Sequence, residues 1–316
     1  MAESSIAFGP VASRRLGHSL GINNIPAKRC SYNCVYCQVG RTAQTEVERQ
    51  TFYEPELVAR AVSTRLEQLR ARGEPVDHLA FVPDGEPTLD ARLGPTIALL
   101  RPLGVRIAVI TNGSLLGRED VRADLRLADW VCLKLDTVDE AQWRCINRPA
   151  PSLGLGPILE GMLRFAAEYR GELVTDTMLV RGINDAADDV GATAALVSRL
   201  APTRAYLGIP TRPTAEPSSA APDERQFAAC LQRFSRSVPV VEALTGYPNS
   251  EYGSTGDAAR DLRDIVAVHP MRHDEVDGYL RKVGAAWATV EALLASGEIE
   301  RVEYRGHPFY VRRFER

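Results

Sequence analysis

From Ser19 to Pro210 the chain repeats one unit: a short apolar run followed by an amphipathic stretch. Gly21-Ile22-Asn23-Asn24-Ile25 reads as the first strand. Leu57, Val58, Ala61, Val62, Leu66 and Leu69 then recur at helical spacing across 54–72. Apolar runs at 78–82, 105–110, 130–135, 173–180 and 205–209 read as five further strands. Helices are expected at 93–103, at 158–169, and around Val190, Ala194 and Val197, where Asp185 is placed to cap. Six strands, each followed by a helix, predict an α/β chain with a parallel sheet buried on both faces.

Beyond Pro210 the pattern loosens. Residues 210–222 are rich in Pro, Ser, Ala and Thr and read as a loop, a helix follows at 223–234, and Gly246 to Ser250 read as a turn. From about Gly256 the spacing predicts helices at 274–283 and 285–295, then alternating strands at 299–304 and 308–314. The expected division is a core domain over 1–250 and a small winged-helix-like domain over 251–316. An apolar content of 45% and a charged content of 25% suit an ordinary globular protein, and a net charge of -3 gives no reason to expect a polyanion over the whole surface. No apolar run approaches a membrane span and no secretory signal is visible, so a cytoplasmic protein without a membrane partner is expected.

Three of the six cysteines fall in Cys30-Ser31-Tyr32-Asn33-Cys34-Val35-Tyr36-Cys37. Thiolates this close together can hold a metal, and they are the natural ligands of iron–sulfur clusters. A four-iron cluster held by three cysteines keeps one iron open, which suits chemistry. A zinc site instead needs a fourth ligand close by, and before Cys30 the only Cys or His is His18. Cys132, Cys145 and Cys230 are isolated and read as small buried hydrophobes. Scattered cysteines of this kind fit a reducing compartment, not a disulfide framework.

The cysteine spacing resembles the signature loop of the radical S-adenosylmethionine (SAM) enzymes. Asp84-Gly85-Glu86-Pro87-Thr88, after the second strand, resembles the glycine-rich motif by which that superfamily binds the SAM amino group, with Asp84 in place of the first glycine. Thr111-Asn112-Gly113 resembles its threonine–asparagine–glycine element, which on its residues alone also reads as a turn. The resemblance implies a partial (β/α)6 barrel with chemistry at the C-terminal ends of the strands. It implies a [4Fe-4S] cluster on Cys30, Cys34 and Cys37, with SAM on the open iron and Tyr36 near the adenine. Gly85, Glu86, Thr111 and Asn112, with Lys134 and Asp136 after the fourth strand, would hold the rest of the cofactor. Residues two apart on a strand point the same way, so Lys134 and Asp136 are expected to reach one pocket. A small electron donor such as a flavodoxin or ferredoxin is implied as a partner.

Several stretches resemble one branch of the superfamily, uncharacterised proteins related to the tRNA-modifying demethylwyosine synthase. They include Phe8 to Gly17, Cys37 to Thr42, Ile146-Asn147-Arg148-Pro149, Thr177 to Asp185 and Thr211 to Pro217. The tRNA-modifying enzyme has a second cluster from cysteines upstream of the loop. No cysteine precedes Cys30 here, so only the radical-initiating half of that chemistry is implied. Arg14, Arg15, Arg41, Arg148, Arg181 and Arg212 lie in these stretches, near the expected barrel mouth. They read either as an anionic-substrate site or as solvated surface. The alternative function is an iron–sulfur-dependent DNA-binding regulator. Eight basic and eight acidic residues over 271–316 leave the C-terminal unit near neutral, although Arg301, Arg305, Arg312 and Arg313 would make a basic wing.

Overall fold

The computed structural model describes residues 6–246 and 252–313. The expected turn from Gly246 to Ser250 lies, beyond Gly246, outside the described residues, as does Phe314 at the end of the last strand. One eight-stranded sheet runs in the order β1 (Ala7–Ser13), β2 (Gly17–Ile22), β3 (His78–Phe81), β4 (Arg106–Thr111), β5 (Trp130–Lys134), β6 (Glu172–Met178), β7 (Arg204–Gly208) and β8 (Val241–Leu244). Strands β2 to β8 are parallel, and β1 is antiparallel to β2. The helices between them are α1 (Pro55–Ala71), α2 (Leu93–Leu100), α3 (Glu119–Leu125), α4 (Glu140–Ile146), α5 (Leu155–Glu168), α6 (Ala187–Leu200) and α7 (Glu224–Ser235). The sheet curls into a half-barrel, the expected architecture.

The six expected parallel strands are β2 to β7, and the sheet is widened by β1 and β8. The first expected strand starts earlier, at Gly17, and Asn23 to Ile25 already lead out of it. Gly21 accounts for the close pairing: a Cβ there would lie 2.0 Å from the Phe8 ring of β1. Pro10 is tolerated in β1 because the strand is a sheet edge and its ladder is irregular between Phe8 and Val11.

Asp185 is not the cap of α6. The residue before that helix is Ala186, which makes no side-chain cap, while Asp185 accepts from the Gly182 amide at 2.8 Å. Gly182 has φ +71, and the turn it makes aims its N–H at Asp185. Cys132 and Cys230 are buried as expected, but Cys145 is exposed on α4, whose buried face carries Trp143 and Ile146.

The C-terminal elements are α8 (Ala258–Val268), β9 (Met271–Arg272), α9 (His273–Val283), α10 (Ala288–Ala295), β10 (Ile299–Tyr304) and β11 (His307–Arg312). The three strands form an antiparallel sheet in the order β10–β11–β9. This unit covers the β1 edge: Phe8 and Val11 share an apolar cluster with Leu262, Ile265 and Val266 of α8. Beside them Arg65 of α1 donates to Asp261 of α8 at 2.7 Å, with both side chains buried. Inside the curl Leu16, Ala80, Ala108, Trp130, Cys132, Val174 and Tyr206 form an apolar floor.

Candidate functional site

The cysteine loop crosses the C-terminal ends of the parallel strands, fastened on two sides. Towards β3 the Glu86 amide donates to Arg29 O at 2.9 Å and the Lys28 amide to Asp84 O at 2.7 Å. This contact requires Gly85, at φ +156, because a Cβ there would sit 2.0 Å from Arg29 O. Towards the end of α4, Asn33 N donates to Asn147 O at 3.0 Å, Val35 N to Ile146 O at 2.9 Å, and Ala150 N to Ser31 O at 2.9 Å. The Ile146-Asn147-Arg148-Pro149 stretch therefore forms the second wall of the loop.

Side chains complete the cradle. Asn112 Nδ2 donates to Ser31 Oγ at 2.9 Å and faces Cys30 Sγ at 3.8 Å, while Asn147 Nδ2 faces Cys34 Sγ at 3.5 Å. Burial pushes the Cys30 thiol well above its ordinary value, with Cys34 and Glu86 adding to it. Cys34 is pushed up to about 12 by burial and then Asp136. Cys37 is raised by burial, with Lys28 pulling the other way. Half-buried thiols of this kind become thiolates when a metal supplies the positive charge.

Glu86 is a hub under the loop. Its carboxylate accepts from the Thr88 hydroxyl at 2.6 Å, the Thr88 amide at 3.1 Å, the Thr111 hydroxyl at 2.6 Å and the Asn112 amide at 2.8 Å. Burial still raises its pKa against those donors. Glu86 thereby fixes the Thr111-Asn112-Gly113 turn that presents Asn112 to Cys30. Asp84 is buried 3.5 Å from Lys28 Nζ and 4.0 Å from Arg312 Nη1 of β11, and burial raises its pKa against those two cations.

Lys134 and Asp136 flank the same region with different partners. Lys134 lines the cavity, bonds Asp176 of β6 at 2.7 Å, and lies 5.4 Å from the Tyr36 ring centre. Burial disfavours its charge, but Asp176 and Asp136 outweigh burial and hold the ammonium. Asp136 accepts from the Tyr36 hydroxyl, from Asn147 Nδ2 at 2.7 Å and from the Met178 amide at 2.9 Å. It orients Tyr36 over the loop. No motif marks Asp176 in the sequence, although an acid within a strand buried on both faces must find cations.

A cavity of about 440 Å³ is lined by the three cysteines, Tyr36, Lys134 and, from the C-terminal unit, His269. Most of the six arginines expected at the barrel mouth are already neutralised. Arg15 pairs with Asp176, Arg41 and Arg148 both pair with Glu216, and Arg212 pairs with Glu275. Arg181 is exposed, and Arg14 lines the cavity. Arg301 of the expected basic wing pairs with Glu303 at 3.1 Å, and Arg305 lies over the Tyr304 ring. No helix among the described residues is long and apolar enough to cross a membrane.

The pattern that defines the Radical SAM superfamily matches residues 24–196. The UPF0026 protein MJ1312 of Methanocaldococcus jannaschii is 41% identical, over 98% of this chain and 96% of its own length. Among solved structures, TYW1 with a lysine–pyruvate adduct bound superposes with a TM-score of 0.55 at 19% identity, covering 70% of this chain and 74% of that one. Streptococcus suis SuiB bound to S-adenosylmethionine superposes with a TM-score of 0.51 at 14% identity, covering 76% of this chain and 56% of that one. At these identities the two structures establish the likeness of fold.

Proposed function

The chain belongs to the radical SAM superfamily, and from that premise we propose that it is an enzyme holding a [4Fe-4S] cluster on Cys30, Cys34 and Cys37 and S-adenosylmethionine on the open iron. The observation that carries the reading is the clamped, half-buried loop bearing three thiols, two of them faced by side-chain amides. Among the described residues no three His, Cys, Asp or Glu side chains meet as ligands of a single ion. Three cysteines can give one thiolate to each of three cluster irons and leave the fourth iron open, whereas a structural zinc site needs a fourth protein ligand.

When bound, cluster and SAM supply a 5′-deoxyadenosyl radical that takes a hydrogen atom from the substrate. The chain's own part is placement. Asn112 and Asn147 favour the thiolate form of Cys30 and Cys34 by donating to sulfur. Gly85 and Glu86 receive the amino end of SAM, and Tyr36, oriented by Asp136, takes the adenine. Lys134 and the Thr111–Asn112 turn face its ribose and carboxylate. A flavodoxin or ferredoxin supplies the electron. The unit over 251–316 acts as a cover on the core over 1–250, packed on it through the apolar cluster it shares with Phe8 and Val11.

Anaerobic reconstitution with iron and sulfide, followed by measurement of 5′-deoxyadenosine, tests this reading. Wild type should take up a cluster whose electron paramagnetic resonance spectrum responds to SAM, and should cleave SAM. A Cys34→Ala variant that still cleaved SAM would overturn the assignment.

A further inference from the structure

The half-barrel has an open side. β1 and β8 are the two edges of the sheet, and among the described residues no ladder joins them. The cavity extends from the cysteines to this seam, where its lining includes Arg14, Arg15, Arg212 and Leu244 from the core and His269 from the segment after α8. Under the radical SAM reading, on which the role given to the seam rests, the cysteine end is the reactive pole. The seam end is not explained by cluster or cofactor.

The seam end carries an excess of positive charge. Arg15 and Lys134 share the single carboxylate of Asp176. Arg212 is held by Pro270 O and by Glu275 at 3.2 Å. Arg14 reaches over the rim from the β1–β2 turn and makes no hydrogen bond or ion pair among the described residues. The carboxylate that most favours its charge, Glu242, is bonded to Arg204 at 2.6 Å. Next to these cations His269 Nε2 is shielded from solvent and has no hydrogen-bond partner. Burial, then Arg212 and Arg15, push this imidazole well below its ordinary pKa, so it is neutral at pH 7. A buried polar nitrogen with nothing to bond costs about 1–3 kcal/mol, and such an atom calls for a ligand.

We infer that the seam end of the cavity binds an oxyanion, the carboxylate or phosphate of a small substrate, received by the Arg14 guanidinium and by His269 Nε2–H. Guanidinium meets either group in two-point fashion. Anchored at the seam, the substrate extends across the barrel and presents its other end to the cysteine pole. The cavity, about 440 Å³ in all, is continuous from the cysteine pole to the seam.

The test uses the full-length, anaerobically reconstituted protein and isothermal titration with inorganic phosphate in one arm and acetate in the other, at constant ionic strength in chloride. Wild type should bind one of the two saturably, and which one identifies the group. Arg14→Gln and His269→Leu should each weaken that binding roughly tenfold or more, the effect of losing one charge-assisted hydrogen bond. Arg164→Gln, on the exposed face of α5, should bind as wild type does. Circular dichroism checks folding, and should Arg14→Gln misfold, Arg14→Lys keeps the charge without the fork and should still weaken binding. Absence of saturable binding to either anion, or equal binding by all variants, overturns the inference. A wild-type cluster that ignores SAM while phosphate or acetate binding still depends on Arg14 overturns the radical SAM reading and upholds the oxyanion site. A SAM-responsive cluster without anion binding does the reverse.

Discussion

Removing Asp261 should be the most damaging single change outside the cysteine loop, and the cost can be worked from its contacts. The side chain is fully buried and accepts from Arg65 Nη2 at 2.7 Å, the Thr255 amide at 2.8 Å, the Thr255 hydroxyl at 2.8 Å, and the Ser254 and Tyr279 hydroxyls at 3.1 Å each. Asp261→Ala leaves the Arg65 guanidinium buried with only Gly9 O as an acceptor. Breaking a buried pair by removing one partner costs about 3–5 kcal/mol. At about 2.1 cal/mol/K of unfolding entropy per residue, that is roughly 5–8 °C for the 316-residue chain. Arg65→Met should cost a similar amount. The double variant Arg65→Met/Asp261→Ala should cost less than the two singles together by about 2 kcal/mol or more, because it leaves no orphaned charge. Urea unfolding of all four proteins measures the cycle. Additivity to within about 0.5 kcal/mol would refute the pair as the fastening of α8 to α1.

Three further outcomes are expected. Gly85→Ala puts a Cβ 2.0 Å from Arg29 O at φ +156, so the cysteine loop must lift; iron and sulfide content after reconstitution should collapse, and normal content would refute the close approach. Asn147→Leu removes the amide facing Cys34 Sγ at 3.5 Å. The cluster potential should fall by roughly 40 mV, the equivalent of about 1 kcal/mol in one hydrogen bond, and a redox titration with an unchanged midpoint counts against this role. Burial raises Asp264 from 3.8 to about 6, with Arg263 and Arg65 opposing it. The folded protein therefore keeps that proton when the unfolded chain has lost it, and stability from this group is full below about pH 4 and declines as pH rises through 6. Asp264→Asn should remove up to about 3 kcal/mol of that decline, read as a flatter dependence of urea midpoints on pH between 4 and 7.

Strands β2 to β7 are legible because strands buried on both faces read as continuous apolar runs, and the cysteine loop is legible from spacing alone. β1 is not, since Gly9 and Pro10 carry the signs of a turn, and only pairing with Gly21 under the Phe8 ring makes the segment a strand. β8 has four residues, too few for alternation to register. The arginines read as one basic mouth because their partners are distant in sequence: Glu216 for Arg148 and Glu275 for Arg212. Asn147 has no role visible in its own stretch, since only the fold carries the end of α4 to the cysteines. Glu86 is expected to face a ligand amine, yet four protein donors already reach it, so much of its work is to hold the Thr111–Asn112 turn.

The two ends of the cavity present opposite electrostatic problems. At the cysteine end, burial and the neighbouring Glu86 and Asp136 all oppose thiolate formation, so that pole is short of positive charge. At the seam end Arg14, Arg15 and Arg212 outnumber Asp176 and Glu275, and the imidazole beside them is forced neutral. A cation entering at the seam or an anion at the cysteines would worsen both imbalances; the reverse placement relieves both. A substrate with one anionic end and an uncharged reactive end is thus oriented before any contact specific to its chemistry is made. The C-terminal unit takes part in that orientation directly, because it supplies His269 to one pole and Arg312, beside Asp84, behind the other.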